Sequence, residues 1–227
     1  MPARSIKPPR TLPAVDPADR EAALALTPVS RETADRLDAF VRLLLERQAV
    51  MNLMAASTIP TLWTRHIADS LQLLPLIGEE AKTIVDLGSG GGFPGLVLAC
   101  ALADRPGAVV HLVEATQKKA AFLRETAAAL GLPAVVHPER VEDFNRRKTV
   151  IPDIITARAL APLSVLLGYV YPLLRKRGRA LLAKGQDVEA ELTQASISWK
   201  ITADLVPSRT SPEGRIVVIR GLEARAR

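Results

Sequence analysis

The chain has 227 residues, 48% of them hydrophobic, which is enough for one sizeable domain with an appended segment. Its 30 basic and 24 acidic residues give a net charge of +6, which permits an anionic partner such as nucleic acid without requiring one. A single cysteine excludes a disulfide framework and a cysteine-based metal site, and we expect no metal ion. The sequence has no long apolar run and no signal-type N-terminus, so we expect a soluble cytoplasmic protein without a membrane anchor.

The first part of the chain predicts a tail followed by helices. Residues 1–15 are rich in proline and basic side chains, which predicts a mobile tail. Asp16, followed by proline, is typical of a helix N-cap, and Ser30 caps a longer helix whose apolar residues recur at helical spacing. A third helix is predicted from Pro60. We therefore expect residues 16–80 to form a helical region that packs on the rest of the protein.

From residue 81 onward, short apolar runs alternate with helical stretches. The predicted strands are 83–87, 108–113, 133–137, 152–157, 179–183, 201–206 and 216–219. This alternation predicts an α/β fold with a mostly parallel sheet covered on both faces. A turn rich in proline, serine and glycine, 208–214, joins the last two strands and predicts an antiparallel hairpin at the end of the domain 81–227.

A glycine-rich loop, DLGSGGGFPG at 86–95, follows the first predicted strand. Its glycines let the backbone approach a ligand without Cβ atoms and leave N–H groups facing that ligand. From Gly90 onward the segment satisfies the G-x-G-x-x-G pattern of dinucleotide-binding proteins, but from Asp86 it also satisfies the acid-x-G-x-G-x-G pattern of S-adenosylmethionine-dependent methyltransferases. The carboxylate of Asp86 would repel a pyrophosphate, whereas it suits the ammonium and sulfonium groups of adenosylmethionine. We favour the methyl donor, and a nicotinamide-dependent oxidoreductase is the alternative.

Further candidates follow the later strands, because ligands of such sheets lie beyond the carboxyl ends of the strands. Glu114 follows the second strand and is placed to accept hydrogen bonds from ribose hydroxyls. After the third strand, a backbone amide within 139–142 or the carboxylate of Glu142 could meet an adenine edge. After the fourth strand, the segment 156–159, which contains Arg158, takes the position where other methyltransferases place residues that face the acceptor.

Several basic residues are candidates for contacts with a nucleic-acid substrate. His66 follows Arg65 on the predicted third helix, where a role at the acceptor site competes with a structural one. Lys118 and Lys119 stand at the start of a predicted helix, and Lys184 stands at the end of the fifth strand. These lysines are candidate phosphate contacts, and an ordinary solvated face is the alternative for each of them.

Seven segments occur together along the chain: NL at 52–53, RHIADS at 65–70, DLGSGGGFPG at 86–95, VEATQKKAAFLRE at 113–125, RVEDF at 140–144, ARALAPL at 157–163 and LLAKGQ at 181–186. In this combination the chain resembles the glucose-inhibited division protein B family of bacterial small-subunit ribosomal RNA methyltransferases, from about residue 37 to residue 220. The resemblance implies a class I S-adenosylmethionine-dependent methyltransferase fold and methylation of N7 of guanine 527 in the 530 loop of 16S rRNA. The partner it implies is 16S rRNA or the small ribosomal subunit, and we expect the protein to act as a monomer. The donor contacts it implies are Gly88, Phe93, Val141, Glu142 and Arg158.

The chemistry of guanine N7 agrees with what the sequence lacks. This nitrogen has a free lone pair and no proton, so its methylation needs alignment with the methyl group and no general base. The sequence has no cysteine near the fourth or fifth strand for covalent attack on cytosine, and no Asn/Asp-Pro-Pro-aromatic segment after the fourth strand for amino-group methylation. Arg158 stands there instead, and its guanidinium fits either the O6 and N7 edge of guanine or the carboxylate of the donor. Arg158 and His66 are our catalytic candidates; another RNA or a small molecule as acceptor, and an RNA-binding module without activity, are the alternatives.

Overall fold

The computed structural model describes residues 11–174 and 178–225, so residues 1–10 of the predicted tail lie outside the described residues. Its helices are α1 (Pro17–Leu26), α2 (Arg31–Gln48), α3 (Asp69–Leu71), α4 (Leu74–Ile77), α5 (Gly95–Ala101), α6 (Gln117–Ala129), α7 (Val141–Arg147), α8 (Leu163–Val170) and α9 (Val188–Ala195). A 3₁₀ turn (Ala56–Thr58) and a π-helical turn (Trp63–Ala68) precede α3. The strands are β1 (Thr83–Leu87), β2 (Val109–Val113), β3 (Ala134–His137), β4 (Ile154–Arg158), β5 (Arg179–Lys184), β6 (Trp199–Pro207) and β7 (Arg215–Ala224).

The strands form one seven-stranded sheet in the order β3-β2-β1-β4-β5-β7-β6. Neighbouring strands from β3 to β5 run parallel, and β7 pairs antiparallel with both β5 and β6. The predicted mostly parallel sheet with a C-terminal antiparallel hairpin is confirmed. The two strands of the hairpin are longer than predicted, because their pairing continues beyond the apolar residues that marked them in the sequence.

The register of the central strands explains why distant sequence segments meet. Leu87 at the end of β1 is level with Val113 of β2 and with Ala157 of β4. The residues that follow these three strands therefore emerge at the same edge of the sheet. The strand order reverses between β1 and β4, and at such a reversal the loops diverge and leave a crevice for a ligand.

The helices before β1 pack on one face of the sheet. The predicted N-caps are confirmed: the side chain of Asp16 accepts from the amide of Ala18, and that of Ser30 accepts from the amide of Thr33. The apolar faces of these helices join a continuous buried cluster with α5 and α6, and its fully buried members include Phe40. The N-terminal helices are therefore anchored directly over the glycine-rich loop and the helix that follows it.

The prediction that a third helix starts at Pro60 is wrong by three residues. The helical segment begins at Trp63 with a π-helical turn, and the carboxylate of Asp19 in α1 accepts from the amides of Trp63 (2.7 Å) and Thr64 (3.2 Å). Asp19 therefore caps a helix 44 residues away in sequence, which a local pattern cannot reveal.

Cys100 is fully buried in α5, and burial raises its pKa to about 12. Within residues 11–174 and 178–225, no helix combines the length and the apolar character that crossing a membrane demands. The same residues include no cluster of three or more His, Cys, Asp or Glu side chains that could hold a metal ion.

Candidate active site

The glycine-rich loop after β1 is held by its own backbone and by Asp86. Gly88, Gly90 and Gly92 adopt φ values of 71°, 55° and 97°, a region that L side chains rarely occupy, so glycine is required by the path of the loop. At Gly95 the requirement is space, because a Cβ there would lie 2.6 Å from Oδ2 of Asp86. These glycines set the shape of the loop in different ways.

The carboxylate of Asp86 lies beneath the loop and is fully buried. Its Oδ2 accepts from the amide of Gly95 at 3.1 Å, and its Oδ1 accepts from the hydroxyl of Thr156 at 2.8 Å. Burial raises the pKa of Asp86 to about 6 despite these hydrogen bonds. The sequence led us to expect a direct contact between Asp86 and a ligand. In the structure the buried carboxylate joins the loop to α5 and β4 instead.

A cavity of about 330 Å³ opens above the loop, and we call it the loop cavity. Its walls include Gly88, Gly90, Phe93, Glu114, Lys119 and Leu160. Glu114 uses both carboxylate oxygens to order this wall: Oε2 accepts from the amide of Gly90 at 2.9 Å, and Oε1 accepts from the amide of Thr116 at 2.7 Å. A Cβ built on Gly90 would meet only the carbonyl oxygen of Gly88, at 3.8 Å, so this glycine faces open space.

A second cavity, of about 430 Å³, lies between the end of β5 and the β6–β7 turn, and we call it the hairpin cavity. Its walls include Arg65, Asp69, Gln72, Lys184, Glu191 and Arg215. His66, Arg158 and Ala159 line both cavities. The two catalytic candidates therefore stand at the boundary between the cavities.

Arg158 is held at this boundary from several sides. Its Nη2 donates to Nδ1 of His66 at 2.8 Å, and its Nη1 lies 3.1 Å from the carbonyl oxygen of Arg65 and 3.3 Å from Oδ2 of Asp69. The guanidinium carbon lies 5.2 Å from the centre of the Phe93 ring, within the range of a cation–π contact. Burial lowers the pKa of Arg158, and Asp69 opposes that shift. The guanidinium is thus an oriented, paired charge.

His66 is a neutral partner of this arginine. Burial, together with the positive charges of Arg158 and Arg65, lowers the pKa of His66 to about 3. Its ring stacks on Phe93 with 4.7 Å between ring centres. Because Nδ1 already accepts from Arg158, the imidazole has no free lone pair with which to take a proton from a substrate. This arrangement does not suit a general base.

The other predicted substrate contacts fall into different environments. The side chain of Arg65 is exposed at the hairpin cavity, and Lys118 is exposed at the start of α6. Lys119 lines the loop cavity, so the two lysines do not share one surface role. The side chain of Lys184 is 10% exposed, forms an ion pair with Glu191 at 2.6 Å and donates to the carbonyl of Ala161. It therefore connects β5 with α9 and with the β4–α8 loop.

Val141 and Glu142 lie at the start of α7. Val141 is buried in the apolar cluster on the α8 side of the sheet, and Glu142 accepts from the hydroxyl of Tyr169 at 2.9 Å. Neither residue is part of the loop-cavity wall described above. Their contact with the adenine of a donor stays a prediction.

Sequence reasoning missed the residues that tie the β6–β7 turn to the N-terminal helices. Oε1 of Gln72 accepts from the amide of Arg209 at 2.8 Å, and Oδ1 of Asp69 accepts from the hydroxyl of Thr210 at 2.8 Å. These pairs are 137 and 141 residues apart, and no local pattern marks Gln72. Of these residues, Asp69 and Gln72 line the hairpin cavity, so the bonds hold the β6–β7 turn beside it.

Residues 33–221 match the protein-family model described as rRNA small subunit methyltransferase G. The chain is 59% identical over 206 residues to the ribosomal RNA small subunit methyltransferase G of Bradyrhizobium sp. strain BTAi1, covering 91% of this chain and 92% of that protein. It is 58% identical over 210 residues to the protein of the same name from Nitrobacter hamburgensis, covering 92% of this chain and 80% of that protein.

Solved structures with a similar fold are more distant in sequence. The O-methyltransferase from Bacillus cereus in complex with SAH gives a TM-score of 0.60 at 14% identity, covering 89% of this chain and 96% of that one. A putative O-methyltransferase from Klebsiella pneumoniae gives the same TM-score and identity, covering 90% and 96%. At this identity the likeness concerns the fold, which is that of class I methyltransferases.

Proposed function

Because the chain belongs to the family of rRNA small subunit methyltransferase G, we propose that it transfers a methyl group from S-adenosylmethionine to N7 of guanine 527 in 16S rRNA. The single observation that carries the proposal is the pair of cavities that meet at Arg158 and His66. One cavity is bounded by the glycine-rich loop, and the other is bounded by polar and charged side chains. Family membership also removes the nicotinamide-dependent alternative.

The residues of the loop cavity fit adenosylmethionine. Gly90 faces open space where any side chain would occupy the cavity, and Phe93 and Leu160 offer apolar surface. Gly91 lines the loop cavity and its amide has no hydrogen-bond acceptor among the described residues, so it can donate to a carboxylate. Glu114 keeps acceptor capacity for ribose hydroxyls beyond the two amides that it already binds. Bound adenosylmethionine would supply an electrophilic methyl group at the boundary of the two cavities.

The residues at the boundary suit an acceptor that becomes cationic. A guanine methylated at N7 gains a positive charge and loses no proton, so the site needs orientation and charge balance instead of a base. His66 is neutral, and Asp69 offsets the charge of Arg158. Arg158 can therefore donate a hydrogen bond to O6 and leave the lone pair of N7 free for the methyl group, without an uncompensated positive charge beside the product.

The proposal extends to the organisation and setting of the protein. Residues 16–80 and 81–227 would act as a helical region and a methyltransferase domain, since the helices of the first segment supply Arg65, His66 and Asp69 to the site. The enzyme would work as a monomer in the cytoplasm, where bacterial rRNA is matured, on 16S rRNA or on the small subunit. Arg65 and Lys118, both exposed, are the proposed phosphate contacts.

Methyl transfer with a modified acceptor tests this proposal. Small subunits lacking the methyl group would be incubated with the protein and tritiated adenosylmethionine, and the labelled nucleotide mapped by cleavage at 7-methylguanosine. We expect label at guanine 527 only. An RNA carrying 7-deazaguanosine at that position is the control, because a carbon replaces the accepting nitrogen. Label retained in the 7-deaza RNA, or mapped to another nucleotide, would contradict the proposal.

A further inference from the structure

We propose that Thr58 is a positioning residue for Arg158, acting through His66: its hydroxyl fixes the imidazole in the tautomer whose Nδ1 accepts from the guanidinium. Three hydrogen bonds in series carry the inference. Arg158 Nη2 lies 2.8 Å from His66 Nδ1, His66 Nε2 lies 2.8 Å from the hydroxyl oxygen of Thr58, and that hydroxyl donates to the carbonyl of Ala55 at 2.8 Å.

The two ends of this chain determine the direction of every bond. A guanidinium has donors only, so Nδ1 of His66 must be the acceptor and the ring proton must be on Nε2. At the other end, the backbone carbonyl of Ala55 accepts only, so the Thr58 hydroxyl must donate to it and accept from Nε2–H. The two requirements agree on one neutral tautomer.

The opposite tautomer would set two donors against each other. With the proton on Nδ1, this N–H would face Nη2 of Arg158, and Nε2 would compete with Ala55 for the single hydroxyl proton of Thr58. Burial, together with the positive charges of Arg158 and Arg65, keeps the imidazole neutral, so protonation offers no third arrangement at neutral pH. The hydroxyl of Thr58 thus selects the state that holds Arg158.

The chain of hydrogen bonds also spans the wall between the two cavities. Ala55 lines the loop cavity, whereas Arg158 and His66 line both cavities. The Phe93 ring, which belongs to the glycine-rich loop, supports the imidazole by stacking and the guanidinium by its face. Arg158 is therefore positioned by the same glycine-rich loop that bounds the loop cavity. Alignment of a methyl group with an acceptor nitrogen requires such a shared support.

The first test is the tautomer of His66 in the free, full-length protein. Long-range ¹H–¹⁵N spectra at pH 7 distinguish the Nε2–H, Nδ1–H and charged forms, and the signal is assigned by its loss in His66→Gln. We expect wild type and Thr58→Ser to show the Nε2–H form alone. Thr58→Val keeps the shape but removes the acceptor of Nε2–H, so the ring is free to turn away from Arg158, and we expect a mixture of tautomers. A charged or Nδ1–H ring in wild type, or a Val variant identical to wild type, would overturn the inference.

The second test is the split between kcat and KM in methyl transfer to the small subunit, and it rests on the proposed function. Thr58→Val should lower kcat by about tenfold, the scale of one lost hydrogen bond in the series that positions Arg158, with the KM for adenosylmethionine within twofold of wild type. Thr58→Ser should restore most of kcat. Thr193→Val is the matched control, because the Thr193 hydroxyl also bonds a backbone carbonyl one turn earlier but lies exposed on α9.

The two tests separate the possible failures. Equal kcat losses in the Ser and Val variants, or an unchanged kcat in Val, would overturn the role of the hydroxyl. If methyl transfer is absent in wild type, the proposed function fails, while the tautomer spectra still decide whether Thr58 sets the state of His66. Circular dichroism of each variant confirms that the fold is retained.

Discussion

The amide of Gly90 donates to Oε2 of Glu114 across 2.9 Å, which joins the glycine-rich loop after β1 to the residue that follows β2. The same carboxylate accepts from the amide of Thr116 through its other oxygen. One side chain therefore orders the loop cavity and offers its remaining lone pairs to a ligand. Donor affinity should respond to any change in this carboxylate.

Replacing Glu114 by Gln should lower the affinity for adenosylmethionine by at least tenfold. A glutamine oxygen can accept from only one of the two amides, and its NH₂ group would face the other donor, so the change loses a charge-assisted bond and disturbs the loop. Isothermal titration calorimetry measures the effect. Glu189→Gln, the same change at an exposed position on α9, is the control and should bind as wild type does. An affinity of Glu114→Gln within twofold of wild type would show that the carboxylate is not part of the donor site.

Replacing Gly90 by Val should abolish donor binding while the protein remains folded. The side chain would project into the loop cavity, where a Cβ meets no atom of the protein closer than 3.8 Å. A positive φ of 55° adds about 1–2 kcal/mol of backbone strain. Gly131→Val is a matched control, since Gly131 has a φ of 60° and nothing within 4 Å of its Cβ position, at the end of α6.

Thermal unfolding and donor titration should then distinguish the effect of backbone strain from the effect of a side chain that fills the loop cavity. Both glycine variants should lose similar stability, but only Gly90→Val should lose the donor. Parallel loss of affinity in both variants would mean that strain, rather than the space above the loop, governs binding.

Replacing Asp86 by Asn should remove a pH dependence of stability. The folded pKa of about 6 lies above the usual 3.8, so wild type is progressively destabilised as the pH rises from about 4 to about 6, by roughly 3 kcal/mol for two pKa units. Asn can preserve both contacts, accepting from Gly95 and donating to Thr156. Its advantage over wild type in urea unfolding should therefore grow across this window and level off above it. A constant difference between pH 4 and pH 7 would contradict the raised pKa.

Separate substitutions of Lys118 and Lys119 should affect different ligands. Lys118 is exposed, so Lys118→Gln should reduce the slope of log K against log salt for RNA binding by about one and leave donor affinity unchanged. Lys119 lines the loop cavity, so Lys119→Gln should weaken adenosylmethionine binding severalfold. Filter binding over a salt series and calorimetry give the two readouts. An identical change in both readouts for the two variants would show that the lysines act as one surface.

The features that the sequence predicts correctly are local ones. The apolar runs mark the strands, and the glycine pattern marks the loop, because each depends on neighbours within a few residues. Strand order then brings Glu114 and Arg158 to the same sheet edge as the loop, as the general rule for parallel sheets requires.

The features that the sequence could not reveal depend on partners far along the chain. Asp86 is buried and accepts a hydrogen bond from Thr156, 70 residues later, and Lys184 is paired with Glu191 on the next helix. The start of the third helix is capped by the carboxylate of Asp19 in α1. In each case the sequence pattern assigns a charged side chain to a ligand or to solvent, whereas in the structure this side chain bonds to another residue of the protein.

The ties from Gln72 and Asp69 to the β6–β7 turn affect the order in which the molecule can be completed during synthesis. The loop cavity is lined by residues no later than Leu160, whereas the hairpin cavity needs residues up to Ile216. A nascent chain therefore carries every residue that lines the loop cavity before it carries all of those that line the hairpin cavity. The hairpin cavity is complete only after Ile216 has been synthesised, so a chain interrupted before this residue cannot assemble both cavities.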